Sequence, residues 1–283
     1  MQEYYFLFAL AFVYALFATI QDLKHREVAN WLNFSLIAFA LAYRAFYASA
    51  TNNLNFFLFG VYGFIIMVVL GNVFYYAKAF AGGDAKLLMG FGIILPYQSY
   101  MQLILLPILL VFTLFLSGAV YSLIYSIFIV AKNKKAFVKK FNDNVKNKKI
   151  LLILATALSL LFIIAGIYNA FAFLLAILFL IPLIWAYTRS LEQCLIVLTP
   201  PLQLTEGDWL EKEVKIGKTT IKKSVHGLSL KEIQLLKKYS KKVLIKTGIP
   251  FVPAFLITLI IIITILIKFP ISFIHPIPLN LLP

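Results

Sequence analysis

Cysteine, histidine and acid are the scarce residues of this 283-residue chain, which holds one Cys, three His and only eleven Asp and Glu together. A single thiol, Cys194, excludes an internal disulfide and any CxxC metal or redox motif. His25, His226 and His275 are scattered and have no metal-ligand spacing, so neither a metal nor a cofactor is expected. Charge as a whole is thin, at 13% of residues, against about 25% in a typical soluble domain. What fills the chain instead is hydrocarbon: 62% of residues are apolar and the mean hydropathy is +0.93. A water-soluble surface cannot be built from that composition.

The apolar residues come in uncharged blocks at 4–20, 52–77, 87–131, 150–188 and 247–267. About 20 such residues cross the roughly 30 Å of a bilayer's hydrocarbon core. The 150–188 block is too long for one crossing and breaks at Gly166-Ile167-Tyr168-Asn169. The 87–131 block breaks at Pro96-Tyr97-Gln98-Ser99. Eight spans are therefore expected, at 4–21, 31–48, 54–77, 85–96, 101–131, 150–167, 170–188 and 249–268. The first lacks the basic start and small-residue cleavage site of a signal peptide, so it is expected to stay.

Lys and Arg sort onto alternate connections: Lys24 and Arg26, Lys78 and Lys86, the lysine run 132–149, and the tract 189–246. Uncharged connections at 50–52, 97–98 and 168–169 fall between them, and Arg44 alone sits near the opposite side. Basic loops face the cytoplasm in membrane proteins, which places the N-terminus outside. The formal charge of +15 then belongs to cytoplasmic loops beside anionic lipid headgroups, and no nucleic-acid partner is expected.

These divisions give a membrane core at 1–131, a basic connector at 132–149, a helical hairpin at 150–188, a small cytoplasmic domain at 189–248, and a final span and tail at 249–283. The connector reads as an amphipathic surface helix with Phe137, Val138 and Phe141 toward lipid. In the small domain, 209–216 and 219–225 read as strands joined at Gly217-Lys218. Ser229-Leu230-Lys231-Glu232 has capping-box spacing and opens a helix carrying Ile233, Leu235, Leu236 and Tyr239. The fold class is thus an all-α polytopic membrane protein with a small α+β insertion before the last span. No internal repeat is visible.

Each acid near a membrane core invites a functional question. Six of the eleven lie in the 189–246 tract, and Glu3 and Asp143 are explained by solvation. Glu27 reads as a solvated loop charge, which leaves Asp22 and Asp84 at cytoplasmic ends of spans one and four, at matching depth. Two carboxylates able to meet suit water activation, one as general base and the other as general acid. At about 4 Å and an effective dielectric near 20 their repulsion is roughly 4 kcal/mol, enough for the pair to share one proton near neutral pH. Gly82 and Gly83 leave room for a peptide backbone and permit positive φ at the turn. The competing explanation for Asp84 is a helix N-terminal cap.

Two patterns resemble the type IV prepilin peptidases and archaeal preflagellin peptidases. One is Asp22-Leu23-Lys24-His25-Arg26-Glu27-Val28-Ala29-Asn30-Trp31-Leu32, an Asp, a basic loop and a hydrophobic-x-Asn-x-Leu start to the next span. The other is Ala81-Gly82-Gly83-Asp84-Ala85-Lys86, similar to the family's Gly-x-Gly-Asp with a Lys two residues on. The resemblance covers roughly residues 1–130. It implies a membrane aspartic endopeptidase with Asp22 and Asp84 catalytic and no metal. Its implied substrates are precursor pilins or archaellins (preflagellins), cut at the cytoplasmic face of the plasma membrane to remove a short basic leader. Glu206-Gly207-Asp208-Trp209-Leu210 and the final span resemble the C-terminal extension of larger archaeal members.

Ala81 departs from the motif's first Gly, which costs backbone freedom. Paired CxxC motifs are absent, so N-methylation of the product is not implied. Lys86, with Gly82 and Gly83, is assigned to substrate binding, while Lys78 reads as a helix anchor. Asn30 reads as the cap of span two, and Glu206 and Asp208 as a turn into a strand. A proton- or cation-coupled transporter using Asp22 and Asp84 is the rival function. Transporters place such carboxylates near mid-membrane in repeated halves, unlike the placement read here.

Overall fold

The structure, a computed structural model, describes residues 2–217, 219–224 and 227–268. The expectations for His226, His275, Val225 and the tail from 269 lie outside these residues. The chain forms two compact units, 1–123 with 250–283, and 124–249.

The first unit holds α1 (Tyr5–His25), α2 (Asn30–Thr51), α3 (Leu54–Tyr76), α4 (Gly82–Ile94), the first two-thirds of α5 (Gln102–Lys132), and α10 (Val252–Lys268). Local chemistry sets the ends. α1 closes where Arg26 turns left-handed (φ 59°) and its N–H bonds the Asp22 carbonyl. Asn53 caps α3, its side-chain oxygen accepting the Phe56 N–H. α4 stops at Leu95 because Pro96 follows, and Leu95 takes the extended dihedrals that a residue before proline prefers.

Small residues decide which helices touch. Ala11, Ala15 and Ala18 on α1 are wholly buried, as are Val252, Ala254 and Phe255 on α10, which packs against α1. α3 and α4 meet backbone to backbone: a Cβ on Gly63 would lie 2.5 Å from the Gly92 oxygen, and one on Gly92 would lie 2.6 Å from the Gly63 oxygen.

Arg44 breaks the expected charge pattern for a structural reason. Its guanidinium is buried and donates to the carbonyls of Phe56 (2.6 Å), Ile93 (2.6 Å) and Leu95 (2.7 Å). Two of these carbonyls end α4, where backbone acceptors lack helical partners and the helix dipole favours a cation. The rings of Phe56 and Tyr4 lie 4.8 and 5.4 Å from its central carbon. Arg44 is therefore a fastener for α2, α3 and α4, not a misplaced loop charge.

The second unit holds the end of α5, then α6 (Lys134–Val145), α7 (Lys149–Gly166) and α8 (Ala170–Cys194), with a small α/β part after them. The break expected at 166–169 is where α7 and α8 turn, with the Asn169 side chain capping α8. The Phe137 ring on α6 turns onto Tyr187 of α8, 5.5 Å away, so it faces protein and not lipid as expected. Val138 is exposed.

In the α/β part, β1 (Ile196–Thr199), β5 (Val243–Lys246) and β2 (Trp209–Leu210) form an antiparallel sheet in the order β1-β5-β2. β3 (Val214–Ile216) and β4 (Thr219–Ile221) pair as a hairpin. The hairpin expectation holds, with Ile216 opposite Thr219, but 209–216 is not one strand, because Trp209 and Leu210 pair with β5 instead. Ser229 and Glu232 form the expected capping box at the start of α9 (Leu230–Lys238). Ile233 and Leu236 enter a core with Leu210, Ile216, Ile221 and Ile245.

Among the described residues, six helical stretches are long and apolar enough to cross a membrane: Gln2–His25, Asn30–Thr51, Leu54–Tyr76, Gln102–Lys132, Lys134–Gly166 and Ala170–Cys194. α4, with 13 residues, and α10, with 17, fall short of that length.

Candidate active site

Asp22 lies one turn from the C-terminus of α1, on the face that packs against α10, and is buried. Its Oδ2 accepts the Val252 N–H at 2.9 Å. Asp84 is the third residue of α4 and is partly exposed. Its Oδ2 accepts the Ala81 N–H at 3.1 Å. Each carboxylate thus spends one oxygen on a backbone N–H at a helix N-terminus, where the dipole favours negative charge. The Phe251 N–H also reaches the Asp22 carboxylate, so Asp22 is met by two successive backbone donors at the start of α10. α1 and α4 touch, and Asp22 lies close enough to Asp84 for their charges to repel. The fold therefore brings together two of the few acids outside the 189–246 tract.

The cap alternative for Asp84 holds in part, since its side chain does close the first turn of α4. That bond uses a single oxygen and leaves the carboxylate available for other contacts.

The glycines act differently from the expectation. Gly82 and Gly83 are the first two residues of α4 and neither has positive φ. A Cβ on Gly83 would lie 3.3 Å from Val28 Cβ, so Gly83 admits the 26–29 loop. Around Gly82 a Cβ would meet only Tyr75, at 3.8 Å, which leaves its backbone approachable. Ala81 has φ −73° and ψ 166°, dihedrals open to any residue, so the departure from Gly costs no strain there.

Lys86 Nζ donates to Asn30 Oδ1 at 2.6 Å and lies 5.7 Å from the Phe34 ring. Asn30 is accordingly not the cap of α2: Ala29 occupies that position without a side-chain bond. Glu27, His25 and Lys78 are exposed, as expected of loop and helix-end charges. In the second unit, Asp208 Oδ2 accepts the Thr205 N–H at 2.9 Å beside left-handed Gly207, so Glu206 and Asp208 form the turn into β2. Among the described residues no three His, Cys, Asp or Glu side chains gather as metal ligands would.

Sequence reasoning missed three neighbours of the pair. Val252 offers a backbone donor that no side-chain pattern reports. Asn33 is buried, with Nδ2 donating to the Gly83 oxygen at 3.4 Å and Oδ1 unpaired, and Thr19, one turn before Asp22, has a buried unpaired Oγ1. Polar residues inside two apolar helices were the available signal for Thr19 and Asn33.

Residues 8–131, which include both aspartates, match the Type IV leader peptidase family. The preflagellin peptidase of Methanocaldococcus jannaschii is 33% identical over 81 residues, which are 29% of this chain and 34% of that protein. The preflagellin peptidase of Methanococcus voltae is 26% identical over 151 residues, 50% of this chain and 61% of that protein. The matched stretches thus cover less than two thirds of either relative. No solved structure gives a significant match. Over residues 8–131 the chain is similar to the Type IV leader peptidase family, and over parts of its length to these two preflagellin peptidases.

Proposed function

We propose that the chain is a membrane-embedded aspartic endopeptidase that removes the short basic leader from preflagellin or prepilin-like precursors at the cytoplasmic membrane face. The observation that carries this reading is the approach of Asp22 to Asp84, each held by a backbone N–H at the start of a helix. One carboxylate takes a proton from water as the hydroxide adds to the scissile carbonyl carbon. The other gives its proton to the carbonyl oxygen. Collapse of the gem-diol intermediate breaks the C–N bond: the amine leaves with a proton from the pair, and a diol hydroxyl gives its proton back to the pair as the carboxyl product forms, restoring the shared-proton state.

In this reading eight helices cross the membrane, α4 and α10 being the short ones, with the N-terminus outside and the basic loops inside. The bare backbone at Gly82 accepts the extended substrate, Gly83 keeps the loop close, and Lys86 sets the site's wall by holding Asn30. Thr19 and Asn33 offer the buried unpaired oxygens that an incoming peptide can satisfy. The names of the Methanocaldococcus jannaschii and Methanococcus voltae relatives point to preflagellin as the substrate class. Purified protein mixed with preflagellins and prepilin-like precursors should release the leader, read as a loss of mass. Asp22→Asn and Asp84→Asn should each abolish it, and cleavage by either variant would remove the assignment.

A further inference from the structure

We infer that the first turn of α10 is a positioning element for the aspartate pair: the Val252 N–H fixes Asp22, while Phe251 and Phe255 hold the segment that carries Asp84. This rests on the catalytic reading of the pair and extends it beyond the family-matched residues 8–131.

Backbone accounting singles out the Val252 donor. The first N–H groups of a helix have no partner within it. Here Pro253 has no N–H, and the Ala254 N–H bonds the Phe251 oxygen at 3.0 Å. The Val252 N–H goes to Asp22 Oδ2 at 2.9 Å, with both residues buried. Water cannot replace this bond, so it decides which way the carboxylate faces. The Phe251 N–H reaches the same carboxylate, so the start of α10 holds Asp22 against α10 by consecutive backbone donors. Apolar packing alone would hold α10 in place without choosing an orientation for Asp22.

The same turn reaches the Asp84 segment through aromatic rings. Phe80, four residues before Asp84, lies 5.7 Å from Phe251 and 5.9 Å from Phe255 between ring centres. Phe91, two helical turns after Asp84, lies 6.0 Å from Phe255. Offset and tilted ring pairs at such distances attract beyond what burial alone supplies. One short stretch of chain therefore touches both aspartate-bearing segments, by a hydrogen bond on one side and by rings on the other. That contact sets the register of the two carboxylates before any substrate arrives.

The test uses full-length purified protein and preflagellin, with kcat and KM measured separately. Val252→Pro removes the N–H at a position where helices accept proline, since the first helical residue needs no intrahelical donor. An amide-to-ester replacement at residue 252 removes the same N–H with almost no change of shape, and it decides the question if the proline variant does not fold. Leu259→Ala, further along α10, controls for loss of packing. The N–H-deleted proteins should lose about 10–100-fold in kcat, as misplacement of a catalytic group does, with KM within about twofold. Leu259→Ala should lower the melting temperature more and kcat less. An ester variant with wild-type kcat, or one whose loss lies in KM, overturns the inference. Asp22→Asn run alongside separates the two readings: if it is inactive while the ester variant is not, only the positioning role falls. If Asp22→Asn still cleaves, both fall.

Discussion

Lys86 donates its ammonium hydrogen to Asn30 Oδ1 at 2.6 Å, tying the first turn of α4 to the first residue of α2. Fifty-six residues separate the two in sequence. Lys86→Met and Asn30→Ala should each cost about 0.5–1.5 kcal/mol, and the double variant no more than the larger single loss. Thermal unfolding in detergent across this double-mutant cycle is the check, and additive losses would dissolve the pair.

Both aspartates carry the strongest expectation. Asp22→Asn and Asp84→Asn should fall to about 1% of wild-type cleavage or less, because general acid–base groups contribute about 10²–10⁴-fold. Expression and membrane insertion should be unchanged. Exposed Glu27 serves as the comparison, and Glu27→Gln should keep at least half the rate. Leader removal followed by mass over three decades of enzyme concentration measures all three, and more than about a tenth of the rate in either Asn variant would sink the pairing.

Arg44→Met should destabilise the protein by about 3 kcal/mol or more, since it strands three buried carbonyls at once. Arg44→Lys should recover only part of that, because an ammonium cannot reproduce the planar fork. Gly60→Ala should behave like a mild Arg44 variant, because its Cβ would press on the Arg44 side chain. Unfolding temperature is the readout. Equal stability of Arg44→Met and wild type would contradict the fastener role.

At the motif's first position, Ala81→Gly should leave cleavage within about twofold, in keeping with the unstrained dihedrals there. Gly83→Ala should slow cleavage, because the new methyl meets Val28 at 3.3 Å. Val28→Ala should restore part of the rate in the double variant. Slowing by Ala81→Gly, or no rescue by Val28→Ala, would show that this turn is limited by something other than loop packing.

Orientation is checked by thiol labelling in a Cys194→Ser background. Asn55→Cys, exposed in the first turn of α3, should react with an impermeant reagent from outside intact cells, and Asn142→Cys should not. The opposite pattern reverses the topology and moves the aspartates to the other face.

Asp22 and Asp84 were legible because acids are so rare that two of them bordering apolar blocks stand out. The helix breaks were legible too, since Pro96 and the Gly166–Asn169 stretch leave little choice. What each aspartate bonds to was not. Helices that are apolar on nearly all sides carry little periodicity to say which face turns inward, and the inward face of α1 is marked only by Ala11, Ala15 and Ala18. The role of Arg44 was hidden for a related reason: its partners are backbone carbonyls, which every sequence has. Asn30 was misread because local capping is the default for that residue type, and here a long-range lysine competes for its oxygen. Trp209 and Leu210 joined β5 because strand pairing is chosen by partners distant in sequence.

The bond between Asp22 and Val252 spans 230 positions, and that separation has a consequence in time. A ribosome adding about 5–20 residues each second finishes α1 roughly 10–50 s before it supplies residue 252. For most of that interval the nascent chain holds both aspartates with no donor from α10 to orient the first. On the positioning inferred for Val252, the aspartate pair stays unoriented until the start of α10 has been made and has docked against α1.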